Sequence, residues 1–296
     1  MCDSLNSLHK LPALNRCALG VLTASLFFIN SCAFATQAKF EIIESVSLSS
    51  ELEESSALYC SPDKSVYSLN DSGNAPVVFR LDENGRIMSK LTPENVKNKD
   101  WEALTADDSF FYIGDIGNNR GTRKNVIIYK FPRSVEPLNR ATKLSLSYDG
   151  NKPSENESLN HDFDAEALVA VDDHLVLFSK SWLTDRLKIY IVDKSQNKQK
   201  LSAKTIVKGI LGVITGADYD KAKQRYILVG YPSKRMGFGD PFIVILDREF
   251  ALIDKIPLPG FGQVEGVCAH PSGQIWFTQE SSIFSSNKLV KLQLLE

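Results

Sequence analysis

Three glutamates, a serine and a threonine carry the clearest chemistry in this sequence. Glu102-Ala103-Leu104, Glu166-Ala167-Leu168 and Glu265-Gly266-Val267 share one pattern: an acid, a small residue, then an aliphatic one. Ser56-Ala57-Leu58 and Thr215-Gly216-Ala217 repeat it with a hydroxyl in place of the acid. If the five positions meet, three like charges have to be neutralised. A hard cation with oxygen ligands, Ca²⁺, would satisfy Glu102, Glu166 and Glu265 together, with the oxygens of Ser56 and Thr215 in support. Two other solutions stay open. Some carboxyls stay protonated or pair with Lys180 or Lys234, or each glutamate caps backbone N–H groups of the strand it opens and no metal binds.

The elements that must bring these residues together follow from their spacing. The five clusters stand 46, 64, 49 and 50 residues apart, and each opens a strand-like segment. A period near 50 built of strands is the signature of β-propeller blades, four-stranded sheets that bury their faces only by packing around an axis. Five blades of four strands account for nearly all of residues 36–296, read as one domain. Blade five supplies only three strands, so Phe40–Leu48 is expected to complete it beside Lys288–Leu294. A six-bladed alternative would need strands in Asp149–Phe163, a stretch of Pro, Asn and charges that reads as a loop.

In such sheets the start of the first strand and the end of the second lie at one end of the axis. The segments after each second strand should therefore surround the five anchors. They hold Asp71, Asp115 and Asn118, Lys180 and Trp182, Tyr231 and Arg235, and Glu280. Asp115 or Asp71 is the candidate base for activating water, with Lys180 or Arg235 to steady developing negative charge. Asn118, Trp182, Tyr231, Arg235 and Glu280 are the candidate binding residues. Asp63, Asp107, Asp172 and Lys221, in the turns between first and second strands, should lie on the opposite face. Zinc is a poor fit, because the four histidines share no ligand spacing, and no nucleophile elbow, P-loop or His-Glu-x-x-His is present.

Several of these segments resemble the blades of calcium-activated nucleotidases (apyrases). They are Ser56-Ala57-Leu58 with Val66-Tyr67-Ser68-Leu69-Asn70-Asp71-Ser72-Gly73, Trp101-Glu102-Ala103-Leu104 with Phe111-Tyr112-Ile113-Gly114-Asp115-Ile116-Gly117, and Val264-Glu265-Gly266-Val267. The resemblance implies a five-bladed propeller with an axial Ca²⁺ that hydrolyses nucleoside di- and triphosphates. In that scheme Glu102 and Glu265 are ligands, and Ser56 and Thr215 hold weaker positions. The chain departs from the family at the substrate loop, Asn70-Asp71-Ser72-Gly73 here, and no base-clamping loops are recognisable. The Glu-Gly-Val opening is also similar to exported lactonase-like and phytase-like propellers, which use an axial Ca²⁺ as a Lewis acid. Two functions follow as expectations: a propeller that binds a small ligand or surface partner on one loop face, or a Ca²⁺-dependent hydrolase of a phosphate ester, phosphoanhydride or lactone.

The rest of the composition bounds these readings. The 296 residues are 43% hydrophobic and 24% charged with a formal net charge of −2, which argues against nucleic acid as a partner. Residues 1–35 read as a cleaved export signal: His9, Lys10 and Arg16, an apolar run from Cys17 to Phe28, then Ala33-Phe34-Ala35. That run is too short to span a bilayer, so a periplasmic or secreted protein is expected. Lipidation at Cys32 is the competing reading. Of the five cysteines, Cys60 and Cys268 remain after cleavage, on the first strands of the first and last blades. They are expected either as a disulfide across neighbouring blades or as two buried thiols.

Overall fold

The computed structural model describes residues 39–134, 138, 140–233, 239–281 and 286–295. Residues 1–35, expected as an export signal, and Lys234 and Arg235 lie outside them. The described chain is a five-bladed β-propeller. It opens with β1 (Phe40–Ser47) and a single 3₁₀ turn. Blade one follows as β2 (Ser55–Cys60), β3 (Val66–Asn70), β4 (Val78–Leu81) and β5 (Ile87–Leu91), and blade two as β6 (Trp101–Ala106), β7 (Phe110–Asp115), β8 (Val126–Pro132) and β9 (Thr142–Tyr148). Blade three contains β10 (Ala165–Val171), β11 (His174–Ser179) and β12 (Leu187–Asp193). Then come β13 (Lys198–Leu201) and β14 (Thr205–Val207). Blade four is β15 (Val213–Asp220), β16 (Arg225–Tyr231), β17 (Phe242–Asp247) and β18 (Leu252–Pro257), and blade five is β19 (Val264–Ala269), β20 (Ile275–Gln279) and β21 (Lys288–Leu294).

The ring closes as the missing strand required. β1 pairs antiparallel with β21, from Phe40 opposite Leu294 to Ser47 opposite Lys288, and completes blade five. One strand departs from the expected count. After β12 the chain leaves blade three, adds β13 in parallel to β9 of blade two, and returns as β14. Blade two thus has five strands, and its outer edge is covered by its neighbour.

Middle strands read as continuous apolar runs because both faces are buried between blades. Ile227, Leu228 and Val229 of β16, and Ile243 and Val244 of β17, are all fully buried. Outer strands such as β1 are mostly exposed. The core is accordingly divided into five clusters, one per blade interface. Leu69 of blade one packs with Ile113 and Phe131 of blade two, for example, and Phe79 of blade one with Trp276 of blade five. In this last interface Cys60 and Cys268 are joined as a disulfide, with a Cα–Cα distance of 5.6 Å.

Candidate functional site

Every first strand is irregular at its anchor. The ladders shift register between Ser55 and Ala57, Trp101 and Ala103, Ala165 and Ala167, Ile214 and Gly216, and Val264 and Val267. The residue skipped in each of the first four blades is the anchor, and in the fifth both Glu265 and Gly266 are passed over. An extra residue leaves the pairing ladder and re-aims its side chain. Repeated at each blade, this irregularity presents Ser56, Glu102, Glu166 and Glu265 to one cavity of about 430 Å³ over the channel mouth. Thr215 is wholly buried and does not line it.

Asp71, Lys180, Trp182, Tyr231 and Glu280 also line that cavity. Asp71, Lys180 and Glu280 occupy one repeated position. Each follows a second strand and donates its backbone N–H to the residue two before the anchor: Asp71 to Glu54 (3.1 Å), Lys180 to Asp164 (2.8 Å) and Glu280 to Gln263 (3.0 Å).

Two expected residues are not at the mouth. In blade two the donor in this pattern is Gly117, to Asp100 at 3.2 Å, because Ile116 is an extra buried residue in the turn. Asp115 therefore falls short of the mouth and is held sideways by Arg123, at 2.7 Å. Asn118 falls beyond it. Its amide donates to the Phe163 carbonyl (2.9 Å), and its oxygen accepts from the Arg123 N–H (2.9 Å). The loop Asp149–Phe163, read only as an insertion, reaches back to the mouth. Leu159 N–H donates to the Asn119 carbonyl at 2.9 Å, and Ser158 and Leu159 form part of the cavity wall.

The electrostatics of the mouth are dominated by acid. Five carboxyl residues line the cavity against two cations, Lys180 and Arg120. Burial, then Glu166 and Asp100, pushes the Glu102 carboxyl well above its usual range. Burial likewise raises Glu265, with Lys180 pulling it back. Burial and the nearby Glu54, Asp100 and Glu265 push Asp71 up to about 7. Glu280 reaches about 9 through burial and its neighbours Glu265 and Asp71. Its carboxylate and that of Glu265 share the Gln263 amide, at 2.9 and 2.6 Å. Sequence reasoning missed Asp100 and Asp164, both raised by burial and each two residues before an acidic anchor. The repeated acid at that offset is the signal that finds them.

Lys180 is 4% exposed, and its ammonium bonds Glu166 Oε1. It sits 4.8 Å from the Trp182 ring centroid and 5.2 Å from that of Tyr231, a cage of one carboxylate and two aromatic faces. Burial disfavours its charge, but Glu166, Tyr231, Glu265 and Asp164 outweigh that and hold the ammonium protonated.

The donor set is right in kind for Ca²⁺, being all oxygen, but as folded its arrangement does not fit one. Among the described residues no three His, Cys, Asp or Glu side chains form a metal-ligating group. Lys180 holds Glu166, and Gln263 holds Glu265. The two hydroxyl anchors donate instead to the neighbouring blade, Ser56 to the Trp101 carbonyl (2.9 Å) and Thr215 to that of Val264 (2.7 Å). They serve as staples between first strands.

The far end of the channel is a separate place. Tyr59, Asp218, Lys221 and His270 border a second cavity there, in line with the turns between first and second strands. Alanine at exposed Asp63 or Lys221 is expected to leave ligand binding at the acidic mouth unchanged and stability within about 0.5 kcal/mol. Calorimetric titration and thermal melts check this.

No protein-family model matches the sequence, and no curated protein does. Solved structures do match. The PQQ-bound aldose sugar dehydrogenase of Streptomyces coelicolor aligns at 10% identity over 86% of this chain and 98% of its own, with a TM-score of 0.50. A streptogramin B lyase aligns at 12% identity over 86% and 98% with a TM-score of 0.47. A virginiamycin B lyase from Staphylococcus aureus aligns at 13% identity over 82% and 67% with a TM-score of 0.43. At these identities the likeness is one of fold alone. Fold and site together define the class: a five-bladed β-propeller with an acidic, aromatic-flanked axial mouth.

Proposed function

We propose that this protein is an exported propeller that binds a small organic cation, an amine, in the mouth of its axial channel. The observation that carries this reading is Lys180. The mouth already encloses an ammonium between a carboxylate and two aromatic rings, while four further carboxyl residues line the same cavity. Carboxylates in a concave, partly desolvated mouth focus potential onto a cation, and a cavity of about 430 Å³ suits a small molecule. The Cys60–Cys268 disulfide and the basic-then-apolar leader support export. Of the two candidate bases of the hydrolase reading, Asp115 is held away from the cavity by Arg123, while Asp71 lines it.

Calorimetric titration with a diamine tests the proposal. Asp71 and Glu280 exchange protons near 7 and 9. A diamine keeps its charge until about pH 10. Raising the pH from about 6 to about 8.5 ionises more of the mouth, so affinity should rise roughly tenfold. Asp71→Asn with Glu280→Gln should flatten that dependence and weaken binding. Absence of binding at both values, or equal affinity for a dicarboxylate, would reject the proposal. Turnover in a panel of phosphate esters, nucleotides and lactones, with and without Ca²⁺, would replace binding by catalysis.

The same two groups set a stability trend. A carboxyl raised in the folded state keeps a proton that the unfolded chain releases above about pH 4. Its contribution is therefore present below that value and lost as pH rises through 7 for Asp71 and 9 for Glu280. Glu280→Gln should raise the melting temperature at alkaline pH and change it little near pH 4.

A further inference from the structure

We infer that the Lys180 ammonium is the propeller's own axial cation, and that it masks a divalent-cation site formed by Glu102, Glu166 and Glu265. The inference concerns metal and not amine, so its failure and that of the amine-binding reading are separable.

Three observations carry it. The repeated position after the second strand is acidic in blades one and five, Asp71 and Glu280, and cationic only in blade three. That one lysine turns inward onto an anchor glutamate rather than outward to solvent. Glu166 is 3% exposed, and its second oxygen, Oε2, has no hydrogen-bond partner although the residue lines the cavity. A buried carboxylate oxygen left unpaired is costly, and a cation at the axis would pair it. The remaining donors are present: Glu102 and Glu265 line the same cavity, and both interact electrostatically with Lys180.

A tethered ammonium competes at high effective concentration, so a free ion must displace it as well as bind. The Trp182 and Tyr231 rings add to what has to be given up. Once the ammonium is removed, Glu102, Glu166 and Glu265 lose the cation that interacts with all three. Oxygen-only donors of that charge suit a hard cation such as Ca²⁺.

The test compares the full exported chain with Lys180→Met and Lys180→Arg, using Tb³⁺ luminescence, displacement by Ca²⁺ and thermal melts. Trp182 lies 4.8 Å from the ammonium, close enough to sensitise a lanthanide placed there. The wild type should give no sensitised signal, and chelator or millimolar Ca²⁺ should move its melting temperature by less than about 1 °C. Lys180→Met should bind one Tb³⁺, displaced by Ca²⁺, at least about 100-fold more tightly than wild type, and Ca²⁺ should raise its melting temperature. Lys180→Arg keeps a cation and should behave as wild type. Adding Glu166→Gln to Lys180→Met should weaken Tb³⁺ at least about tenfold. If Lys180→Met folds only when Ca²⁺ is supplied, that also supports the masked site. Stoichiometric metal binding by the wild type would overturn the inference. So would a folded Lys180→Met that binds none. Should Lys180→Met fold under neither condition, Lys180→Gln takes its place with the same two outcomes.

Discussion

Replacing Cys60 and Cys268 together by serine is expected to lower stability by about 5 kcal/mol on the chain-entropy account, and by at least 2. The bond spans 208 residues, nearly the whole described chain, so it removes a large loop from the unfolded ensemble. It also ties blade one to blade five, the interface at which the ring closes. There β1 and the disulfide are the two clasps, β1 on the outer edge and the disulfide on the first strands. Urea denaturation of the double variant should show the loss. The same chain kept under reducing conditions should match it.

Gly216→Ala is expected to cost about 3 kcal/mol, at the upper end for overpacking, and to weaken ligand binding as well. An added Cβ would stand 2.1 Å from the Glu265 carbonyl oxygen, which is backbone of the next blade and cannot swing aside. Gly266 is equally confined, 2.6 Å from the Ala57 carbonyl carbon. The small residue after each anchor is therefore a packing requirement of first strands crowded around an axis, met by Ala in blades one to three and by Gly in four and five. Because the obstructing oxygen belongs to Glu265, relief of the clash moves an acid of the mouth. Denaturation and amine titration on one sample would show both effects.

What could be read from residues alone divides along physical lines. The anchor repeat sufficed for blade number and ring closure because every blade repeats the same contact with the axis. Strand β13 was not legible, since Lys198-Gln199-Lys200-Leu201 is short and polar, and its partner β9 belongs to another blade. Asp71, Lys180, Trp182, Tyr231 and Glu280 were placed by connectivity alone. Asp115 and Asn118 were not, because one extra residue, Ile116, shifts blade two out of step with the others. The pairing of Lys180 with a mouth carboxyl, here Glu166, was one of the alternatives the residues left open, and the repeat could not choose among them. Periodicity places a side chain at the mouth but does not decide whether a long, flexible amine turns inward to a carboxylate or outward to water.

The closure by β1 has a consequence for how the molecule stands in its surroundings. Leu295 N–H donates to the Lys39 carbonyl at 2.9 Å, so the two ends of the described chain leave the disc as neighbours. β21 runs away from the acidic mouth and β1 runs toward it, with Phe40 opposite Leu294. Both ends therefore emerge at the outer rim of blade five, on the face remote from the mouth. A tether attached through either end would hold the disc by its back and leave the acidic opening turned to whatever passes in front. Topologically the chain is a circle lacking one peptide bond, and the same disc could be written starting from another blade. Joining residues 39 and 295 by a short linker and opening the chain within the Asp149–Phe163 loop would shift the free ends to the ligand side without unpairing a strand of any blade.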